Sequence, residues 1–292
     1  MLRIGDCTIE RIEETVLAEP SSIFVEWNAE IARENGAWLT PAYYDPAGDA
    51  FITSIHSWLV KTPRHTILID CCGGNGKSRP LSPRFDHLDR PFLERLKAAG
   101  AEPGDVDIVI NTHLHVDHVG WNTRLLDGQW VPTFANATYW LPRVEREFRD
   151  PKMGAAGKPP ASHLIFLDSV QPILDSGKAK LVEGNEAVAD GVDLMPIPGH
   201  APGQMAVRLT AGGEEALFIA DVMHQPIQIY YPHWNSRYCE DQELARRTRR
   251  QVLDYCVAHD SIILPGHFGA PHCGRVIRKG DGFAFAASAT TP

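Results

Sequence analysis

Runs of apolar and polar positions predict short strands at Cys7–Ile12, Phe51–Lys61 and His65–Asp70, the last two joined through the turn Thr62-Pro63-Arg64. Between them, residues 17–50 keep no sustained period and carry Phe24, Trp27, Trp38, Tyr43 and Tyr44. A stretch of that length without a period reads as an irregular aromatic lid or substrate loop. Helical spacing appears at Arg90–Ala99 (Phe92, Leu93, Leu96), closing at Gly100. Asp107–Asn111 is a buried-strand run, Ala137–Leu141 a strand, and Pro142–Arg149 a helix with proline at its first position. After a loop at Met153–Pro160 come a helix at Ser162–Gln171 and short strands at Lys180–Val182, Glu186–Ala189, Val192–Ile197, Met205–Leu209 and Glu215–Ala220. Asp241–Ala258 places Leu244, Ala245, Thr248, Val252, Tyr255 and Cys256 on one helical face. Its Arg246, Arg247, Arg249 and Arg250 fall mostly on the other, as a solvated face paired with Glu240, Asp241 and Glu243. Ser261–Leu264 is a last buried strand. This irregular alternation predicts a layered α/β domain with mixed sheets.

Composition narrows the class. Of 292 residues, 43% are apolar and 22% charged, which excludes disordered and fibrous chains. Length alone leaves one or two domains open. The net charge of −9 repels phosphate backbones and argues against a nucleic-acid partner. No apolar run approaches the ~18 residues of a membrane span, and the first residues show no secretory apolar core. The six cysteines are scattered, without a C-x-x-C pair, so reduced thiols and a cytoplasmic location are expected. Vicinal Cys71-Cys72 reads as two small residues entering a glycine turn, with a redox pair as the alternative. The anomaly is the 13 histidines.

Their placement points to metal chemistry. Thr112-His113-Leu114-His115-Val116-Asp117-His118 sets three imidazoles and a carboxylate directly after an apolar strand. These are ligands that zinc, iron, manganese and cobalt accept. In an extended segment His113 and His115 share a face, and a following turn swings Asp117 and His118 to a second centre. A solvated histidine tract would have hydrophilic flanks, whereas Ile108-Val109-Ile110 and Val119-Gly120-Trp121 bracket this one. Three more strand ends bring His200, Asp221 and His267. An aspartate at a strand end is by itself an ordinary turn former. The specificity lies in the combination: seven donors on four loops suffice for two metals ~3.5–4 Å apart. Donors spread from His113 to His267 that meet at one site make residues 1–292 a single domain.

The H-x-H-x-D-H run, followed in order by His200, Asp221 and His267, resembles the metallo-β-lactamase superfamily from about Phe51 to His267. The resemblance implies an αββα four-layer sandwich of two mixed β-sheets flanked by helices, with a dinuclear site at one edge. It implies that His113, His115 and His200 bind one metal, Asp117, His118 and His267 the other, and that Asp221 bridges. Asp70, closing Ile67-Leu68-Ile69, would orient the ligands from behind. Asp221 stands where several true β-lactamases carry cysteine, which argues against antibiotic hydrolysis. The stretch Asp70-Cys71-Cys72-Gly73-Gly74-Asn75-Gly76-Lys77 is similar to the N-acyl-homoserine lactonases and the methyl-parathion-type organophosphate hydrolases. Lactonases carry tyrosine three residues after the bridging aspartate; His224 stands there, which looks more like the organophosphate-hydrolase side.

The expected activity is therefore a lactonase or esterase, with two divalent ions, zinc first, and a metal-bridging hydroxide attacking a lactone or carboxylic ester. Hydrolysis of organophosphates or aryl esters is the alternative. A non-catalytic metal-binding module would lack a ligand, and none is lacking. Asp117 doubles as proton shuttle. His224 donates to the developing oxyanion, a contribution of order 2–4 kcal/mol, unless it is a turn histidine satisfied by backbone. Trp121, Phe134, Tyr230, Tyr231, Trp234, Phe24 and Trp27 are candidates to line a cleft for the apolar part of a small substrate. No membrane partner is expected; quorum quenching and a homodimer follow only from the resemblance.

Overall fold

The computed structural model describes residues 1–288. The chain forms two compact units, Met1–Thr15 with Ile55–Gly184, and Val16–Ser54 with the chain from Asn185. The division falls inside two long strands, Cys7–Pro20 and Ala50–Lys61.

In the first unit, Thr66–Ile69, Ile108–Ile110, Thr138–Pro142 and Ala179–Val182 lie side by side in parallel. Ala50–Lys61 pairs antiparallel with Thr66–Ile69 through the expected turn, so the sheet is mixed. Ile67, Leu68, Ile69, Ile108, Val109 and Ile110 are all buried, the continuous apolar run that a parallel strand covered on both faces requires. Helices Phe92–Ala98 and Arg143–Arg149 form where their spacing predicts. The predicted helix Ser162–Gln171 is instead a 3₁₀ turn, Pro160–His163, and two short helices, Leu164–Ser169 and Gln171–Asp175, parted at Val170. Pro172 explains the break, because it has no N–H to continue the first helix.

A hairpin the apolar pattern does not announce, Thr123–Leu126 with Gln129–Pro132, turns on Asp127-Gly128, both at positive φ. Beside it Lys77 is fully buried. Its ammonium donates to Thr123 Oγ1 at 2.8 Å, lies 3.6 Å from the Trp130 ring centroid and 3.5 Å from Asp168 Oδ1. Arg79 holds the same Asp168 through two bonds of 2.6 and 2.7 Å. Burial pushes the Lys77 pKa down to about 7 against the pull of Asp168.

The second unit has its own mixed sheet. Its order is Glu186–Ala189, Val192–Pro196, Met205–Ala211, Glu214–Ala220, Ile262–Pro265, Gly274–Lys279, Gly282–Ala287. All neighbours are antiparallel except Glu214–Ala220 with Ile262–Pro265, whose parallel pairing needs a long crossover. That crossover carries helices Ile227–Tyr230 and Gln242–His259. Asp241 caps the long helix by accepting from Leu244 N, and Val252, Leu253 and Cys256 enter the core with Leu217, Ile219 and Ile263.

Two expectations change here. Arg249 is not on a solvated face: it is buried and donates to the carbonyls of Val222, Pro232 and Trp234 and to Asn235 Oδ1. Four oxygens on the crossover are worth more to a guanidinium than one carboxylate at the surface. Residues 17–50 are not an irregular loop either. The first strand continues to Pro20, and Ala29–Leu39 is a helix whose N-cap, Asn28, accepts from Glu30 N and Ile31 N. Phe24, Tyr43 and Tyr44 are buried with Phe51, Ile227 and Trp234, so these aromatics form a core. Among the described residues no helix is long and apolar enough to cross a membrane.

Candidate metal centre

In the first unit, the donors sit where the parallel strands end. Asp70 follows Thr66–Ile69 at positive φ, and its N–H donates to Ile110 O on the neighbouring strand. Its side chain is thereby set against the next loop. Asp70 Oδ1 accepts from Thr112 N at 2.8 Å, and Oδ2 from Thr112 Oγ1 at 2.8 Å and His118 Nδ1 at 2.9 Å. A carboxylate accepts only, so His118 carries its proton on Nδ1 and presents a lone pair on Nε2. The Thr112 hydroxyl, having donated to Asp70, accepts from His113 Nδ1 at 3.1 Å, which leaves the His113 lone pair on Nε2 as well.

The loop is bent rather than extended, which corrects the predicted strand face. His118 N donates to His115 O, and His113 and His118 have ring centroids 4.0 Å apart. The turn brings His113 Nε2 to 3.0 Å from His115 Nδ1, a spacing natural for two ligands of one cation. Asp117 Oδ1 lies 3.8 Å from His118 Nε2. The loop is pinned from below by Asn111 Nδ2 and Cys71 N, both donating to His118 O. Only glycine fits at position 120, where a Cβ would stand 1.9 Å from the Gly73 carbonyl.

A residue with no motif around it holds this floor. Glu14, buried in the first long strand, accepts from Gly73 N and Gly74 N at 2.9 Å each and from Trp121 Nε1 at 2.8 Å. Burial raises its pKa, against the three donors. Phe134 is buried, whereas Trp121, stacked on Phe92, also borders open pockets that it shares with Asn75 and Asp89. Cys71 and Cys72 are free and buried, and burial pushes both thiols up, which suits small packing residues rather than a redox pair.

In the second unit, three imidazoles converge on one carboxylate oxygen. Asp221 Oδ2, at the end of Glu214–Ala220, lies 3.3 Å from His200 Nε2, 3.1 Å from His267 Nε2 and 3.4 Å from His224 Nε2. His267 donates through Nδ1 to Ser54 O at 3.1 Å, leaving its Nε2 lone pair toward Asp221. Gly199 shapes the His200 turn: at φ 133° a Cβ would meet Ala245 N at 2.4 Å. His224 N donates to Gln228 Oε1 at 2.7 Å, and its buried Nδ1 has no hydrogen-bond partner among the described residues. Burial holds its pKa well below the usual histidine value despite Asp221, so the ring is neutral. Asp221, His224 and His267 offer ligand atoms within 4.8 Å of one another. Phe24 and Trp234 are buried, while half-buried Tyr231 stacks on Trp234 and half-buried Tyr230 on Trp38.

Histidines and carboxylates gathered at strand ends of mixed sheets are the marks of a metal-binding α/β fold. The chain belongs to the metallo-β-lactamase superfamily, whose family model matches residues 52–267, and its mixed sheets with flanking helices are the expected fold. It is 30% identical over 127 residues to an N-acyl homoserine lactonase of Bacillus thuringiensis, covering 44% of this chain and 42% of that protein. The match thus spans less than half of that relative's length. Among solved structures, hydrolase AbOPH of the β-lactamase superfamily superposes with TM-score 0.82 at 24% identity, over 100% of this chain and 97% of that one. AidC, a dizinc quorum-quenching lactonase in complex with a product, N-hexanoyl-L-homoserine, gives 0.78 at 20% identity, over 100% and 97%. At those identities the likeness is one of fold.

Proposed function

We propose that the protein is a dinuclear metal-dependent hydrolase that opens a lactone or carboxylic ester, its two units acting as one functional domain. In this reading His113, His115 and His200 would hold one ion and Asp117, His118 and His267 the other, with Asp221 a ligand available to both. The observation that carries it is the fixed tautomers. Asp70, Thr112 and Ser54 O engage Nδ1 of His118, His113 and His267, so the lone pair of each ring lies on Nε2, the nitrogen this reading assigns to metal. The donor set fits divalent zinc, and equally iron, manganese or cobalt.

Two such ions supply Lewis-acid activation of water and of the substrate carbonyl. Half-buried Asp117 takes the proton released as water adds and returns it to the departing alkoxide. Neutral His224 donates from Nε2 to the developing oxyanion, worth of order 2–4 kcal/mol. His224 in place of tyrosine also favours a second reading, hydrolysis of organophosphates or aryl esters at the same site. The relatives' lactonase activity supports a homoserine lactone as substrate and quorum quenching as role. Six free cysteines, all buried, support the cytoplasm. The charge of −9 disfavours nucleic acid; a homodimer rests on the family resemblance alone.

Metal analysis of the purified protein is expected to approach two ions per chain. A panel of homoserine lactones, aliphatic lactones, aryl esters and phosphotriesters, with and without chelator, tests the activity. Hydrolysis that survives metal removal, or full activity in His113→Ala, defeats the reading.

A further inference from the structure

The loop that carries His113 and His115 belongs to no strand, yet the peptide between the two histidines has a dedicated acceptor. Leu114 N donates to Glu145 Oε2 at 3.2 Å. Glu145 is fully buried on helix Arg143–Arg149, and Arg149, one turn later, donates from Nε to the same oxygen at 2.8 Å. An ion pair between a fully buried carboxylate and a half-buried guanidinium is a weak source of stability, because desolvating the carboxylate offsets much of the attraction. What this pair does provide is an oriented oxygen at one point of the chain. Fixing the plane of the His113–Leu114 peptide restrains the direction in which the Cα–Cβ bond of His113 leaves the backbone and, through the single intervening residue, narrows that of His115. Those directions decide whether His113 Nε2 and His115 Nδ1 meet at 3.0 Å. On the other side, the Asp70–Thr112 bonds fix the preceding residue. The ligand pair is thus clamped from both flanks.

We propose that Glu145 is a positioning residue for the metal centre: its carboxylate, aimed by Arg149, holds the Leu114 peptide and thereby the spacing of the His113 and His115 ligand atoms. The inference rests on the metallohydrolase reading and adds a residue to it.

Cobalt(II) titration of the metal-free protein, followed by its visible absorption, tests it in the wild type and three variants. Glu145→Ala is expected to bind one of two cobalt ions about 10–100-fold more weakly, with the other unaffected. Glu145→Gln keeps an oxygen that can accept from Leu114 N and is expected to recover most of that affinity. Glu145→Asp keeps the charge beside Arg149 but falls short of Leu114 N, so it is expected to behave as alanine does while folding normally. A thermal melt of each metal-free variant accompanies the titration, and Glu145→Asp carries the test if Glu145→Ala does not fold. Wild-type affinity in Glu145→Asp, or a glutamine variant as weak as alanine, overturns the clamp. A wild-type chain that takes up no cobalt overturns the metal-centre reading and the clamp with it, and is distinguished by that first measurement.

Discussion

Asp70 accepts from the N–H and the hydroxyl of Thr112 and from His118 Nδ1, so one side chain fixes the tautomers of two histidines, directly and through a hydroxyl. Asp70→Ala frees both rings to turn and to move the proton. Affinity for metal is expected to fall about 10–100-fold, read by titrating the metal-free protein. His224 makes a different prediction. Replacing it with phenylalanine should lower kcat about 10²–10³-fold while metal content stays at the wild-type value, as for loss of one oxyanion donor. Lys77 predicts a pH effect. Its folded pKa is about 7 against an ordinary 10.5. Between those values the unfolded chain holds a proton that the folded chain has released, so this group makes stability rise as pH climbs from about 7 toward 10.5. Urea unfolding at about pH 7 and about pH 9 should show that rise in the wild type and a flatter response in Lys77→Met.

Elements add their own constraints. At Gly120, a methyl group would collide with the Gly73 backbone at 1.9 Å. Gly120→Ala is expected to cost about 3 kcal/mol or more in chemical denaturation, at the upper end of overpacking effects, because neither loop can retreat without disturbing Trp121. The ligand loops were legible in the sequence for a physical reason: apolar runs such as Ile108-Val109-Ile110 mark buried strands, and polar residues directly after them stand at strand ends. The supports were not. Glu14 and Glu145 are single carboxylates inside a strand and a helix, with nothing nearby in sequence to show that they point inward. Arg249 is hidden the same way among four arginines, and only the carbonyls of the crossover identify it. Helix Ala29–Leu39 escaped because Gly36 and the surrounding aromatics blur its period.

For the molecule as a whole, bound metal should act as a stabiliser. Ions that bind the folded chain and not the unfolded one raise the unfolding free energy by about 2.7 kcal/mol at a hundredfold excess over Kd. The melting temperature is therefore expected to drop with chelator and to return when zinc is added back; a melt indifferent to both would contradict the proposed centre. Glu14 has a bearing on where the gene can be cut. It lies upstream of the family-matched span, residues 52–267, yet it accepts the N–H groups of Gly73 and Gly74 and the Trp121 indole. A version trimmed to the span that sequence kinship recognises would strip three buried donors of their acceptor beneath the His118 loop. Its boundaries would look correct in an alignment, and it would be expected to express poorly.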